Sequence, residues 1–556
     1  MRIYDEKEVL KHEKLETRSR FVRALIKYGK LYCKYTKLAG FKYFTESGTT
    51  WFDRTVWFLL YAFMVPAMVY TVYYGYLEFM KNPLMISVDT ESFPTYKLNF
   101  PGVSICSINR ISRRSAVKMA NEIYNSNISR LTSEEILDMI LQLGDLYDSE
   151  FITQARSFRI DQLLSYFNDG YYDITNVMKR LTPQCSAILS RCSFNNQERN
   201  CSEIFAFRKT QDGFCCVFNY ATKGDDTLLN PEVDHRTEPI KVENLTEDGG
   251  LSVLMEPFLD DYFYSILPTS GWKVAIFSPY DYPDMISGGV IDILVSPRTH
   301  KSVEIEAIMF YSTRSIIPYP FDKRDCVFED EMTWLRPFYT YSDCIVDCRI
   351  EDVWKICKCI PFYLPNRKSR RVCNIEDVPC LTLHKSKWFS VVPNENVYEG
   401  TNHDTETIMH CYTCYPECND ITYTAKLTES DLVVSDRQSA KLLNDVEIKD
   451  QGVLTIYFNN FGTMRLRQDV IYRWYELLGD ASGIWGIFVG FSLIAIVEFV
   501  YFIGLFVLEL VKGPVSLDRN KKQVKHWESP IQSIYWGELY SNVKSKRNND
   551  RYRNEY

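Results

Sequence analysis

The sequence predicts a membrane α+β protein, with two apolar helical spans flanking one large outer domain stapled by disulfides. Three observations carry this. Two long runs nearly free of charge, 55–77 and 481–508, stand near the two ends of the 556 residues. Basic residues crowd beyond those runs, although the whole chain has a formal charge of −8. Sixteen of the 17 cysteines fall between Cys106 and Cys418, in the stretch that separates the runs. The mean hydropathy of −0.22 leaves room for a large polar domain beside a small membrane portion.

The second run shapes the rest. Leu477-Leu478-Gly479-Asp480 leads into Ala481–Leu508, where Glu498 is the only charge. These residues make about 28 positions, roughly 42 Å of helix, enough to cross a hydrocarbon core of about 30 Å with tilt. A carboxylate inside such a span costs about 2.5–3.5 kcal/mol on insertion, so Glu498 is expected to face water or protein rather than lipid. Gly486 and Gly490, four apart, let helix backbones approach closely. A cation pore lined by several copies of one helix needs these features. A single anchor whose glycines pack a dimer also fits them.

The first run, Thr55–Leu77, holds no charge over about 23 positions, a full span. Pro66 interrupts it, which membrane helices tolerate. Tyr70, Tyr73, Tyr74 and Tyr76 cluster near its end, where aromatic belts sit. Residues 1–54 carry 13 Lys+Arg against 7 Asp+Glu and lack the apolar core of a signal peptide; residues 512–556 carry 10 against 5. Positive flanks favour the cytoplasm, so both tails are expected inside and a net-acidic middle outside.

The cysteines agree. Only Cys33 falls on a segment expected inside, and an even 16 lie in a compartment that permits disulfides. Cys357-x-Cys359 and Cys411-x2-Cys414 also resemble zinc ligands, but the flanking histidines lack finger spacing. No metal site is expected. Asn127-Ile-Ser129, Asn200-Cys-Ser202 and Asn244-Leu-Thr246 are glycosylation sequons on the expected outside, the middle one hindered by its own cysteine.

Along the outer domain, 88–110 and 205–220 read as strands. Thr132-Ser133-Glu134-Glu135 resembles a helix start before Ile136, Met139, Ile140 and Leu143 at helical spacing. Residues 222–250 read as a polar excursion, 270–320 return to alternating strands, and 326–418 carry ten cysteines in a stapled helical region. Residues 425–475 alternate again before the second span.

Several motifs resemble the degenerin/epithelial sodium channel family, most closely its insect pickpocket branch, from about Cys33 to Phe502. They are Asp53-Arg54-x2-Trp57, Phe100-Pro101-Gly102-Val103-Ser104-Ile105-Cys106-x2-Asn109 and Gly213-Phe214-Cys215-Cys216-Val217-Phe218-Asn219. The cysteine ladder Cys344-x3-Cys348-x8-Cys357-x-Cys359, then Cys373, Cys411, Cys414 and Cys418, completes the likeness. The resemblance implies a trimeric, sodium-preferring, voltage-independent, amiloride-sensitive channel. Its outer domain is expected to be acid-sensing-channel-like, with palm, ball, finger, knuckle and thumb, the eight ladder cysteines marking the thumb. It places the selectivity filter on Gly490, Phe491 and Ser492, with Glu498 below in the pore. It places the gate on Gly479 and Asp480 and a cytoplasmic gating motif at Gly40. Two residues depart from the family pattern. Ala39 stands where the family has histidine, and Phe491 is bulky where the middle filter residue is small.

The resulting expectation assigns 1–54 to a cytoplasmic tail, 55–77 to the first span and 78–480 to the outer domain. It assigns 481–508 to the second span and 509–556 to a second cytoplasmic tail. The expected function is a sensory sodium channel subunit of the plasma membrane, opened by a ligand or by force. Its partners are sodium ions, the lipid bilayer and related subunits in a homo- or heterotrimer, with no nucleic acid and no cofactor. The alternatives are an auxiliary subunit that does not conduct, and an anchored receptor. An ATP-gated channel shares the topology but needs clustered Lys/Arg on the outer side of the spans to hold a triphosphate, and no such cluster stands there. No nucleophile elbow, phosphate loop or His-Glu-x2-His motif points to an enzyme. His403 and His410, Asp260-Asp261 and Glu329-Asp330-Glu331 are possible proton sensors, more often simple surface groups.

Overall fold

The computed structural model describes residues 21–512 except 23, 47, 128–129, 148–156, 168–169, 171, 222–237, 332–338, 393–407, 434–441 and 443–448. The expectations for His403, for 513–556 and for most of the polar excursion lie outside the described residues. The chain divides into two units, Met1–Lys81 with Tyr472–Tyr556, and Asn82–Ile471.

In the first unit, the helix Trp51–Lys81 is 31 residues long and exceeds the charge-free run at both ends. Local chemistry sets its start. The Thr50 amide donates to the Asp53 carboxylate (3.1 Å) and the Asp53 amide donates to the Thr50 hydroxyl (3.3 Å), a reciprocal cap. The helix continues through Pro66. The second run is not one continuous helix of 42 Å. It forms two, Trp474–Val489 and Leu493–Lys512, separated at Gly490-Phe491-Ser492. Gly490 has φ +69°, a left-handed conformation in which glycine ends a helix without a Cβ penalty. Its amide donates to the Gly486 carbonyl at 2.9 Å. Ser492 then caps the next helix, its hydroxyl accepting from the Ala495 amide at 3.4 Å. Gly490 therefore serves as a helix stop, not as a packing site in a helix interior. Trp51–Lys81 and Leu493–Val511 are both long and apolar enough to span a membrane.

The second unit is α+β. Its larger sheet runs in the order Leu84–Pro94, Gly462–Val470, Thr299–Ser312, Gly452–Phe458, Leu251–Met255, Leu189–Phe194, Gln197–Arg199. The 14-residue strand Thr299–Ser312 is its spine. One edge pairs antiparallel with Asn419–Asp431; the other pairs parallel with Gly452–Phe458 and then with Gly462–Val470. The smaller sheet runs Ile291–Val295, Trp272–Phe277, Gly102–Ser107, Gly213–Phe218, Phe205–Thr210. Val103, Ile105, Val274 and Ile276 of the small sheet share one buried core with Val303, Ile305 and Ile456 of the large one. Burial of these alternating residues drives the stacking.

A helical subdomain has its own core of Met119, Ile123, Ile136, Ile140, Leu164, Met178 and Leu181. The capping box read at Thr132 is present. The Glu135 amide donates to the Thr132 hydroxyl (3.3 Å) and the Thr132 amide to the Glu135 carboxylate (2.8 Å). The stapled helices are Tyr341–Cys357 and Val378–Phe389.

Candidate ion pathway and its supports

The residues expected to form the filter lie at the helix break, and the N-terminal segment packs beside it. Residues 24–35 form a helix whose Tyr32 ring meets the rings of Phe499 (5.8 Å) and Phe502 (5.6 Å). The turn after it reaches the second span twice. The Lys37 amide donates to the Glu498 carboxylate at 3.2 Å. A Cβ built on Gly490 would stand 3.3 Å from the Ala39 Cβ. Glu498 is half-buried. The Tyr61 hydroxyl donates to the Ala39 carbonyl, tying the same turn to the first span. Gly40, at φ +85°, lies so close to Trp57 that a Cβ there would fall 2.4 Å from the ring. Tyr43 stacks on this indole, 5.0 Å between centroids and nearly parallel.

Gly490 and Glu498 thus approach the turn that holds Gly40, while Ser492 caps its own helix. Phe491 packs its ring edge-on against Trp485 at 5.5 Å. Gly479 and Asp480 are not part of this meeting. Eleven residues, about 16 Å of helix, separate Gly479 from Gly490. Asp480 is exposed and nothing lies within 4 Å of where a Gly479 Cβ would stand.

Of the eight ladder cysteines, six pair among themselves: Cys344–Cys414, Cys348–Cys411 and Cys359–Cys373. Cys344 and Cys348 are one helical turn apart, so their sulfurs leave the same face and make parallel staples to 411–414. Cys357 pairs with Cys380 and Cys418 with Cys326, two partners the ladder omitted. Cys357–Cys380 ties the two helices together. Three further bridges, Cys106–Cys215, Cys185–Cys216 and Cys192–Cys201, brace the sheets. All 16 cysteines from Cys106 to Cys418 are bonded and Cys33 is free. The sulfurs of the zinc-like spacings are therefore consumed in disulfides. Asn127, Asn200 and Asn244 are exposed. Asn200 caps the turn that begins at Cys201, accepting from the Ser202 amide at 3.2 Å.

The acidic pairs read from sequence do not converge. Asp261 accepts from the Arg114 amide at 2.8 Å, Glu331 holds Arg324 at 2.7 Å and Asp330 faces Arg314 at 3.3 Å. His410 stacks on Tyr412 at 5.2 Å. One member of the acidic runs, Glu329, instead joins a group around Glu417 that the sequence reading did not assemble. Burial first, then the carboxylates of Asp281, Asp420, Asp343 and Glu329, pushes Glu417 well above the usual glutamate range. A raised carboxyl pKa means that the native chain holds this proton more tightly than the unfolded chain. Stability from this group therefore rises as pH falls from above the native pKa toward the ordinary value of about 4.3. Glu417→Gln is expected to raise the melting temperature of the purified chain at pH 7.5 and to flatten that slope. An unchanged slope in a pH series of melting curves would refute the assignment.

Two membrane-length helices flank a disulfide-rich, β-rich domain, an architecture suited to a two-span membrane protein with a large outer domain. The family model described as amiloride-sensitive sodium channel matches residues 32–502. The chain belongs to that family. Among curated relatives it is similar to the fruit fly (Drosophila melanogaster) sodium channel protein Nach, 26% identical over 89% of this chain and 90% of that one. It is also similar to Pickpocket protein 28 of the same fly, 23% identical over 92% and 84%. The mouse (Mus musculus) bile acid-sensitive ion channel is 21% identical over 80% and 81%. Membership of a channel family points away from an enzyme.

Proposed function

We propose that this chain is a pore-forming subunit of a voltage-independent, amiloride-sensitive sodium channel of the plasma membrane. It works as a homo- or heterotrimer with both tails cytoplasmic, and a ligand or force acting on the outer domain opens it. The observation that carries this reading is the break at Gly490-Phe491-Ser492. An anchor has no need to interrupt an apolar span, whereas a filter needs free carbonyls and a small hydroxyl at close approach. Support also comes from Glu498, a carboxylate kept within the span and held by the Lys37 amide. In a trimer, Ser492 and Glu498 would form rings around one axis.

The test is voltage clamp of cells expressing Gly479→Val, with external sodium exchanged for a large impermeant cation. A Cβ at that position has nothing within 4 Å outside its own helix among the described residues, so a large effect of valine would point to neighbours brought by assembly. A sodium-carried leak independent of voltage is expected. Two residues favour a second reading, an auxiliary subunit. Ala39 has no side-chain donor where the family has histidine, and Phe491 spends its ring on Trp485. Surface protein without current alone, but with current on co-expression with relatives, selects that reading.

A further inference from the structure

The N-terminal helix of residues 24–35, with Phe21 and Val22 just before it, presents three faces. Successive residues of a helix turn by about 100°. Val22, Leu25, Ile26 and Gly29 therefore fall on one side, Ala24, Tyr28 and Tyr32 on a second, and Lys27, Lys30 and Lys34 on a third. The second side is packed. Ala24 and Tyr28 are buried, and the Tyr32 ring meets Phe499 and Phe502. Phe21 meets Phe506 edge-on at 5.4 Å, and Lys27 Nζ stands 3.0 Å from Glu509. These partners all belong to the C-terminal half of the membrane-length helix Leu493–Val511, so this helix lies against the end of a span.

The first side is uncovered. Val22, Leu25 and Ile26 are 47%, 52% and 53% exposed, and nothing lies within 4 Å of where a Gly29 Cβ would stand. On the flank of this apolar stripe, Lys30 and Lys34 are exposed and enter no ion pair among the described residues. The charge of the whole segment has one sign, since residues 17–45 hold eight Lys+Arg and no Asp or Glu. That argues against two occupants. A second copy of the same helix would set cation against cation, and lysines without counter-charges suit poorly the wall of a sodium path. A bilayer surface fits both features, because apolar side chains enter the acyl boundary while cations meet anionic headgroups.

We propose that this helix lies in the headgroup region of the cytoplasmic leaflet and binds anionic phospholipid, with Val22, Leu25 and Ile26 in the acyl boundary and Lys30 and Lys34 on the headgroups. Only the choice of leaflet rests on the reading of both tails as cytoplasmic. The test therefore uses vesicles with the same lipids in both leaflets, so its outcome is independent of orientation and of conduction. The full chain carries Cys33→Ser and Ile26→Cys, and the one unbonded thiol is labelled with the fluorophore NBD. It is reconstituted in phosphatidylcholine with an equal fraction of either phosphatidylserine or phosphatidylcholine bearing a nitroxide quencher on its acyl chain. Both lipids are expected to quench the label, the serine lipid at least twofold more strongly. Lys30→Gln with Lys34→Gln should bring the two lipids level while leaving the label quenched. Leu25→Cys in place of Ile26→Cys repeats the reading, so that one badly placed label does not decide it. No quenching by either lipid at both positions would mean that protein or water covers the stripe. That result, equal quenching by the two lipids in the parent chain, or a serine preference that survives the double substitution would overturn the proposal.

Discussion

Arg349→Ala is expected to destabilise the unit Asn82–Ile471 by about 3–5 kcal/mol, the scale for removing one partner of a buried ion pair. Asp284 is fully buried and Arg349 is 5% exposed, with 2.5 Å between Nη2 and Oδ1. The second Asp284 oxygen accepts from the Ser287 amide at 3.1 Å. Beside it, Ser342 of the stapled helix donates to the Tyr282 carbonyl at 2.8 Å, and Tyr282 donates to the Tyr363 carbonyl at 2.5 Å. The pair therefore fastens the helix Tyr341–Cys357 to the loop 278–289. Alanine leaves the Asp284 charge in the interior with one amide for company. Replacing both members with apolar residues, Arg349→Met with Asp284→Leu, removes the orphan charge and is expected to recover most of the loss. Denaturant midpoints of the purified proteins give the comparison. A single mutant as stable as the parent, or a double mutant worse than the single, would show that the pair does not hold the helix in place.

Much of the fold was legible because its causes are local. Thr132 and Glu135 announce a helix start by side-chain chemistry three residues apart, and charge-free runs announce spans. The cystine region was legible as a region but its pairing was not. Sixteen cysteines allow many pairings, and only folding decides that Cys357 meets Cys380 and Cys326 meets Cys418. The helix break is instructive in another way. A glycine stop followed by a serine cap is a local signal, present at Gly490 and Ser492, but the hydropathy of the run outweighed it. The contacts of Lys37 with Glu498 and of Ala39 with Gly490 join residues about 450 or more apart, and such contacts leave no periodicity to read. The same holds for Glu417, whose neighbours besides Asp420 come from three separate segments, and for Arg110. It sits in a run that reads as plain strand, and nothing nearby reveals that it is buried and ion-paired with Asp212.

Gly40→Ala is expected to displace the turn that holds Glu498. Two costs add at one atom. At φ +85° a Cβ costs about 1–2 kcal/mol from backbone sterics alone. The same Cβ would stand 2.4 and 2.5 Å from two atoms of the Trp57 ring. Overpacking of that kind costs about 1–3 kcal/mol. The ring cannot simply swing aside, because Tyr43 stacks on it and its backbone belongs to the helix Trp51–Lys81. The turn must give way instead, and with it the bond from Tyr61 to the Ala39 carbonyl and the bond from the Lys37 amide to Glu498. Melting curves of the purified chain should show a clear loss. In the Gly479→Val background any sodium leak should fall at least tenfold at equal surface expression. Trp57→Leu added to Gly40→Ala makes room for the new methyl while keeping the span apolar. It relieves the clash but not the backbone cost, so partial recovery is the expected result. Full recovery would assign the whole effect to the indole contact. No recovery would place it in the left-handed backbone of Gly40, and a Gly40→Ala chain as stable as the parent would exclude this packing of the turn against the first span.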